Sequence, residues 1–356
     1  MSNIMSLRVC PLFLLIYTLS ILFAYCQSGK YTLRTIGFYN VENLFDTIDD
    51  PETIDEAYTP SGKNHYSQVD YLGKIKNTAS VISEIGSNRK NRGPDLIGLA
   101  EIENFNVLND LIHTEELYRQ QYQIIHQDSP DRRGIDVALL YKTAFFFPIE
   151  TESIELRLWD EKGERIYTRD ILYVQGILDD EVIHVLVNHW PSRRGGKTRS
   201  DPKRMKAAYL VKKKTNQILL REPNAKIFIL GDFNDDPTDN SIKNGLLLPS
   251  ELEKEISKNL FNPMEKMHKQ GMNTLAYRDG LNLFDQIILS NNLLKSENSQ
   301  AGFFLYRAGI YNPSYLISQH GKYKGYPLRS FTNSRYAGGY SDHFPVFVEL
   351  IKRYAP

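Results

Sequence analysis

Four apolar residues in a row, Ile227-Phe228-Ile229-Leu230, run directly into Gly231-Asp232-Phe233-Asn234. A run this short, bounded by turn residues, reads as a strand. The absence of polar alternation suits a strand covered on both faces. The chain repeats the device. Runs with strand character occupy 33–39, 95–100, 135–141, 171–177, 182–188, 226–230, 284–289 and 345–351, and several end on a polar residue. Helical patterns lie between them. Val69, Leu72, Ile75, Ala79 and Ile82 recur at helical spacing. Asp201-Pro202, a capping carboxylate followed by a first-turn proline, predicts a helix that runs to about Leu219. Segments 43–63, 248–273 and 301–339 are rich in Gly, Pro, Asn and Tyr and read as long loops. No internal repeat or linker divides the chain. The expectation is one α/β domain over residues 27–356, with loops carrying the chemistry.

The first 26 residues read differently. Arg8 precedes an apolar run from Cys10 to Cys26 that is short for a membrane span, and polar Gln27-Ser28-Gly29-Lys30 follows at once. This is the pattern of a signal peptide. Ala24-Tyr25-Cys26 allows cleavage before Gln27 and export as a secreted or periplasmic protein. Acylation of Cys26 would give a lipid-anchored form instead, although Tyr25 is bulky for the position before a lipidated cysteine. Both cysteines of the chain fall in this segment. The exported chain therefore has no thiol for catalysis, zinc ligation or disulfides. Formal charges balance, 43 against 43. No global field holds a polyanion, so affinity for one has to come from a local cluster.

Polar residues gather at strand ends. Asn40 follows Thr35-Ile36-Gly37-Phe38-Tyr39, Glu101 follows Leu96-Ile97-Gly98-Leu99-Ala100, and His189 follows Val185-Leu186-Val187-Asn188. Asp232 and Asn234 close the run described above, Asp285 opens 285–289, and Ser341-Asp342-His343 precedes Pro345-Val346-Phe347-Val348. Hard oxygen donors of this kind suit Mg2+, with Mn2+ or Ca2+ as alternatives. A cation held there would neutralise phosphate oxygens during in-line attack. A histidine beside an aspartate keeps one tautomer and can pass a proton or stay cationic.

The motifs occur in the order Asn40-Val41-Glu42-Asn43-Leu44, Glu101, Asn188-His189, Gly231-Asp232-Phe233-Asn234, Phe284-Asp285-Gln286-Ile287, Ser341-Asp342-His343-Phe344-Pro345-Val346. In that order the chain resembles the DNase I-like endonuclease/exonuclease/phosphatase superfamily from near residue 36 to 348. The resemblance implies a four-layer α/β sandwich, two packed and mainly antiparallel β-sheets flanked by helices, with the site in loops at one edge. It also implies roles. Glu101 would be the principal metal ligand, with Asn40 and Asp342 near the metal or its waters. Asp232 would orient or deprotonate the attacking water, and Asn234 would hold that water or a phosphate oxygen. His189 would bind phosphate or act as general acid. Asp285 and His343 would pair, with His343 contacting the phosphate. Three departures bear on substrate: the acidic Glu42-Asn43-Leu44-Phe45-Asp46, Gln286 after Asp285, and Trp190-Pro191-Ser192-Arg193-Arg194-Gly195-Gly196 after His189.

Glu42 and Glu103 read as surface charges, and His65, His113, His126, His184, His268 and His320 as surface or packing histidines. Arg133 is a candidate phosphate contact by the same resemblance. Arg193, Arg194, Lys197, Arg199, Lys203, Arg204 and Lys206 form a basic run beside His189 that reads either as a phosphate-backbone track or as a solvated face. Arg193 and Arg194 are its leading substrate contacts. The resemblance implies a metal-dependent phosphodiester hydrolase, with nucleic acid as the leading substrate. A phosphatase for lipid head groups or other small phosphoesters would share the same centre, and Phe303-Phe304-Leu305-Tyr306 could serve it as an apolar loop tip or be a strand. A non-catalytic binding module on the fold predicts decay of catalytic positions, and none has decayed. No obligate protein partner is evident, and a monomer is expected.

Overall fold

The apolar runs become strands, and those at the centre of one sheet have a face in each of two cores. The structure, a computed structural model, describes residues 31–86, 92–247, 260–277, 280–294 and 302–353. The segment read as a signal peptide, with Cys10 and Cys26, lies outside the described residues.

In chain order the strands are β1 (Tyr31–Leu44), β2 (Leu96–Ile102), β3 (Tyr122–His126), β4 (Asp136–Lys142), β5 (Phe146–Ile154) and the short hairpin β6 (Leu158–Trp159) with β7 (Arg165–Ile166). Next come β8 (Ile171–Leu178), β9 (Glu181–His189), β10 (Lys226–Asp232), β11 (Leu260–Phe261), β12 (Leu275–Tyr277) and β13 (Gly280–Asn282). The last are β14 (Asp285–Ser290), β15 (Phe303–Ile310), β16 (Phe331–Thr332), β17 (Arg335–Tyr336) and β18 (Val346–Arg353). Helices α1 (Gln68–Glu84), α2 (Phe105–Ile112) and α3 (Lys197–Arg221) flank them. One six-stranded sheet has the order β15-β18-β1-β2-β4-β3 and the other β11-β14-β10-β9-β8-β5. Each is mixed: β1 with β2, and β9 with β10, are parallel pairs inside otherwise antiparallel sheets.

The strand period of two explains the uninterrupted runs. Phe228 and Leu230 of β10 point into the large core between the sheets, while Ile227 and Ile229 point into a second core under α3, against Ala207, Ala208 and Val211. Val185, Val187, Ile287 and Leu289 share the inner face, and Leu186 and Ile288 the outer one. Ile75, Ala79 and Ile82 of α1 and Leu108 and Leu111 of α2 cover the other sheet. The result is helix, sheet, sheet, helix. The sheets meet closely at Gly98 of β2, where a Cβ would lie 2.2 Å from Leu230 Cδ1.

Three sequence expectations are corrected. Segment 301–339 is not wholly loop: Phe303–Ile310 is β15, which pairs with β18 at the sheet edge. Its solvated outer positions hide the strand pattern, as they do in β5. The Phe303-to-Tyr306 stretch is therefore strand, not loop tip. The long helix starts at Lys197, after Gly196 at φ +107°, four residues before the Asp201-Pro202 signal. Buried Arg204 bonds Ser200 Oγ at 2.7 Å and the Lys197 carbonyl at 3.2 Å, which fixes those earlier turns around Pro202. Among the described residues, no helix is long and apolar enough to cross a membrane.

Candidate active site

The inner-face parity that buries Phe228 and Leu230 also carries Asp232 between the sheets, at the edge where the hydrophobic core ends. The register then lines up a row. Asp232 of β10 is paired with Asp285 of β14 on one side and with His189 of β9 on the other. Parallel β9 and β10 both end here, and antiparallel β14 begins here. From the opposite sheet, Asn40 at the same parity of β1 donates from Nδ2 to Asp232 Oδ2 at 3.1 Å.

Asp232 Oδ2 is the centre of the group. His189 Nε2 lies 3.6 Å from it and His343 Nε2 3.9 Å. Its other oxygen accepts the Asn234 backbone N–H at 2.9 Å, the turn expected of an Asp-x-Asn sequence. Asn234 Nδ2 in turn donates to the Trp190 carbonyl at 3.0 Å. His343 Nδ1 donates to Asp285 Oδ2 at 2.7 Å, and Asp285 Oδ1 is buried without a hydrogen bond.

The two histidines differ in charge, His343 being cationic and His189 neutral. Burial works against a proton on His343, but Asp285, then Asp232 and Asp342, outweigh it and hold the imidazole well above its usual range. His189 is pushed well below that range by burial, then by the charges of Arg169, Arg133 and His343. Neutral His189 keeps a buried Nδ1 with no partner. Between them, burial pushes the Asp232 carboxyl up to about 7; His343 pulls it down, while Asp285 and Glu101 add to the rise. A buried carboxyl poised near neutrality beside a cationic imidazole is equipped to take a proton from water.

Backbone strain clusters here. Glu42, Asn43, Glu101 and Asn234 all adopt positive φ, between 51° and 65°. Each falls where a strand irregularity or tight turn re-aims a side chain: the β1–β2 ladder shifts register between Asn40 and Leu44, and the β2–β4 ladder between Ala100 and Ile102. Glu101 is thereby turned to the site edge. Its Oε2 accepts the Asn43 N–H at 2.9 Å, and its Oε1 lies 3.9 Å from His189 Nε2.

Glu42 and Glu103 are buried, not surface charges. Glu42 accepts from the Ser330 N–H at 2.6 Å and from Arg329 at 3.2 Å. Burial and the neighbouring Asp342 push its carboxyl up to about 7, against the pull of Lys74 and Arg329. Fully buried Lys74 donates to the Val41 carbonyl and to Ser330, tying the end of β1 to the segment before His343. Asp342, half-buried, pairs with Arg329 at 2.8 Å. Glu42, Glu101 and Asp342 all act on the Arg329 guanidinium, so they share one acidic face. Carboxylates with an amide beside them are a hard-oxygen set that fits a divalent cation. Asp232, Asp285 and His343 also bring ligand atoms within 4.8 Å of one another. Because His343 is cationic and its Nδ1 is already donated, that trio handles protons better than it ligates.

The basic run divides. Arg193 is not on an open track: it bonds the Asn234 carbonyl at 2.8 Å, faces Asp235, Asp236 and Asp239 at 3.1, 3.4 and 2.5 Å, and stacks on Phe284. Lys197 also pairs with Asp239, and Arg204 is buried against Asp235 at 2.6 Å. Arg194 is exposed on the other side. Arg133 is exposed beside Asp131, at 3.3 Å. Sequence reasoning missed Arg169, which is buried and bonds Asp131 at 2.9 Å and the Trp190 carbonyl at 2.8 Å. His126, read as a surface or packing histidine, packs its ring against buried Asp136 at 3.1 Å.

The sequence matches the endonuclease/exonuclease/phosphatase family over residues 35–352. No curated protein matches it. Solved structures agree in fold. A D. rerio TDP2 complexed with single-strand DNA product superimposes with TM-score 0.53 at 14% identity, over 90% of this chain and 99% of that one. A Bacteroides thetaiotaomicron mannosyl-6-phosphatase gives TM-score 0.53 at 20% identity, over 89% and 99%. An endonuclease/exonuclease/phosphatase family protein from the same organism gives 0.52 at 19%, over 91% and 99%.

Proposed function

The chain belongs to the endonuclease/exonuclease/phosphatase family, and on that premise we propose that it is a secreted, divalent-metal-dependent phosphodiesterase acting on nucleic acid. The observation that carries the reading is the Asp285–Asp232–His189 row with cationic His343 against it. Asp232 accepts the proton of the attacking water, and Asn234 positions that water. His343, kept protonated by Asp285, donates from Nε2 to a phosphate oxygen. Neutral His189 takes the opposite side of the phosphate, where its Nε2 can donate. Glu101, Asp342, Glu42 and Asn40 supply the oxygens for the cation. Bound there, Mg2+ would neutralise charge that builds on the phosphate oxygens. The signal-peptide pattern of the first 26 residues supports export.

One structural neighbour holds a single-strand DNA product and another is a sugar phosphatase, so the test needs both. Hydrolysis of bis-p-nitrophenyl phosphate, an oligonucleotide and a sugar phosphate is measured with Mg2+, Mn2+ and Ca2+ and with excess chelator. Diester and oligonucleotide turnover that chelator abolishes and Asp232→Asn removes is the expected result. Turnover unaffected by chelator, or confined to the sugar phosphate, would overturn it.

A further inference from the structure

Beyond His189 the chain forms a cavity of about 980 Å3 between the β6–β7 hairpin and the first turns of α3. Pro191 and Ser192, just past His189 and Trp190, line it together with Arg133 and Arg169, the two arginines whose charges act on His189. It therefore adjoins the site, two residues beyond His189 along the chain. Arg169 and Asn234 also share the Trp190 carbonyl as acceptor.

The lining is cationic: seven Lys or Arg side chains against three carboxylates. Each carboxylate is engaged. Asp131 holds Arg169 and Arg133, Asp160 accepts the Lys162 and Glu164 N–H groups of the hairpin turn, and Glu161 reaches Arg199 of α3 at 3.3 Å, bridging hairpin to helix. Arg194 and Lys203 have no carboxylate partner among the described residues. Arg169 Nε, buried in the wall, has no partner either. On the hairpin, Trp159 is 56% exposed, with no ring or cation against it among the described residues. Tyr167 is not free in that way, because Arg132 and Arg165 both stack on it.

The neighbouring cavity, about 580 Å3, has the opposite character. Asp50, Glu52, Glu103, Asp128 and Asp136 line it, and the Asp131–Arg132 ridge borders both. A polyanion leaving the catalytic centre is repelled on that side and attracted on this one.

We propose that the basic cavity holds the single-stranded nucleic acid flanking the scissile phosphate, with Trp159 stacking on a base and Arg194 and Lys203 contacting successive phosphates. The inference rests on the phosphodiesterase reading above. Cationic grooves with a free aromatic face are how unpaired strands are held, and a paired duplex offers no base face to stack.

Trp159 and buried Trp190 are the only tryptophans in the chain, so binding can be read directly. Oligothymidylate, oligouridylate, a DNA duplex or a sugar phosphate is titrated into the full chain in excess EDTA, following tryptophan emission and the anisotropy of labelled strand. Either single strand should quench emission, and Trp159→Phe should remove the quench while weakening binding. Arg194→Gln with Lys203→Gln should weaken binding about tenfold or more. It should also flatten the log–log salt slope by about 0.7 per cation removed. The same double variant should lose more kcat/KM on oligonucleotide than on bis-p-nitrophenyl phosphate. Quenching by the sugar phosphate alone, tighter binding of duplex than of single strand, or strand binding untouched by these substitutions would overturn the proposal. Wild-type hydrolysis of bis-p-nitrophenyl phosphate with Mg2+ tests the underlying reading separately: strand binding without it would sink the enzyme and leave the cradle.

Discussion

The 2.7 Å bond from His343 Nδ1 to Asp285 Oδ2 joins the two sheets at the catalytic edge. Asp285 opens β14 in one sheet, and His343 stands three residues before β18 in the other. The contact is buried, and it fixes the orientation of the His343 ring so that Nε2–H faces Asp232 Oδ2 at 3.9 Å. A single carboxylate thus controls the charge and orientation of a residue on a different sheet.

Replacing Asp285 with Asn should therefore act through His343. The amide removes the negative charge that keeps the imidazole protonated, and kcat should fall by about 10²–10⁴-fold with the fold retained. His343→Ala should fall in the same range, and the double variant should be little worse than either single one, since both serve one proton-donating group. Steady-state kinetics on a diester checks this. Multiplicative losses would show that the two residues act separately.

Metal affinity should depend on pH through the buried carboxyls. Asp232 and Glu42 are both pushed up to about 7. Below that pH they are neutral, so protons compete with a cation directly at Glu42 of the acidic face and remove the nearby negative charge of Asp232; above it both are charged and the competition ends. The apparent affinity for Mn2+ should rise from pH 6 to 8, by up to about tenfold per pH unit for each proton displaced. Calorimetry at three pH values measures it. Glu42→Gln should flatten the rise, and an affinity indifferent to pH would show that neither carboxyl contributes.

The parts of this arrangement that were legible in the sequence share one physical cause. Strands buried on both faces have to be apolar throughout, so β9, β10 and β14 stood out, and the polar residue that ends each run was visible by contrast. Edge strands such as β5 and β15 alternate with solvent and resemble loops. Buried charges were the larger blind spot. Glu42, Glu103, Lys74, Arg169 and Arg204 all look like surface residues in a sequence, because burial of a charge depends on partners distant in the chain. Lys74 reaches Ser330, and Arg169 reaches Asp131. No local pattern encodes those meetings. Gln286 was noted only as a departure; the structure places it where Asn262 and the Asp235 carbonyl meet, tying loops on the outer side.

The Asp131–Arg169 pair should be a measurable part of stability. Both side chains are nearly fully buried. Burial alone would raise the Asp131 carboxyl, but Arg169 and Arg133 outweigh it and hold it below its ordinary 3.8. For an acid with a depressed folded value, the stabilisation is present above the unfolded value and lost as pH falls through the folded one. Asp131→Asn leaves the Arg169 charge buried and should cost about 3–5 kcal/mol at pH 7. Denaturant unfolding should show the gap to wild type narrowing only below about pH 3.8. A gap equally wide at pH 3 and pH 7 would point to lost packing in place of lost charge.

Arg193 and Arg194 are adjacent in sequence and should behave as residues of different kinds. The Arg193 head compensates three carboxylates of the loop after Asp232 and bonds the Asn234 carbonyl. Arg193→Gln leaves Asp235, Asp236 and Asp239 facing one another, with Lys197 and Arg204 as the remaining Lys and Arg partners among the described residues. The cost should be about 2–3 kcal/mol, below that of a fully buried pair because the Arg193 head is partly wet. Turnover should fall on every substrate alike, since the Asn234 turn loosens for all of them. Arg194 is exposed and touches none of these groups, so Arg194→Gln should shift stability by no more than about 0.5 kcal/mol. Its effect should fall on long substrates and fade as salt rises. Denaturant midpoints, read beside kcat/KM for an oligonucleotide and a small diester at two salt concentrations, separate the two. If Arg193→Gln were as stable as wild type and selective for the oligonucleotide, the acidic loop would not need it, and the whole basic run would be one phosphate track after all.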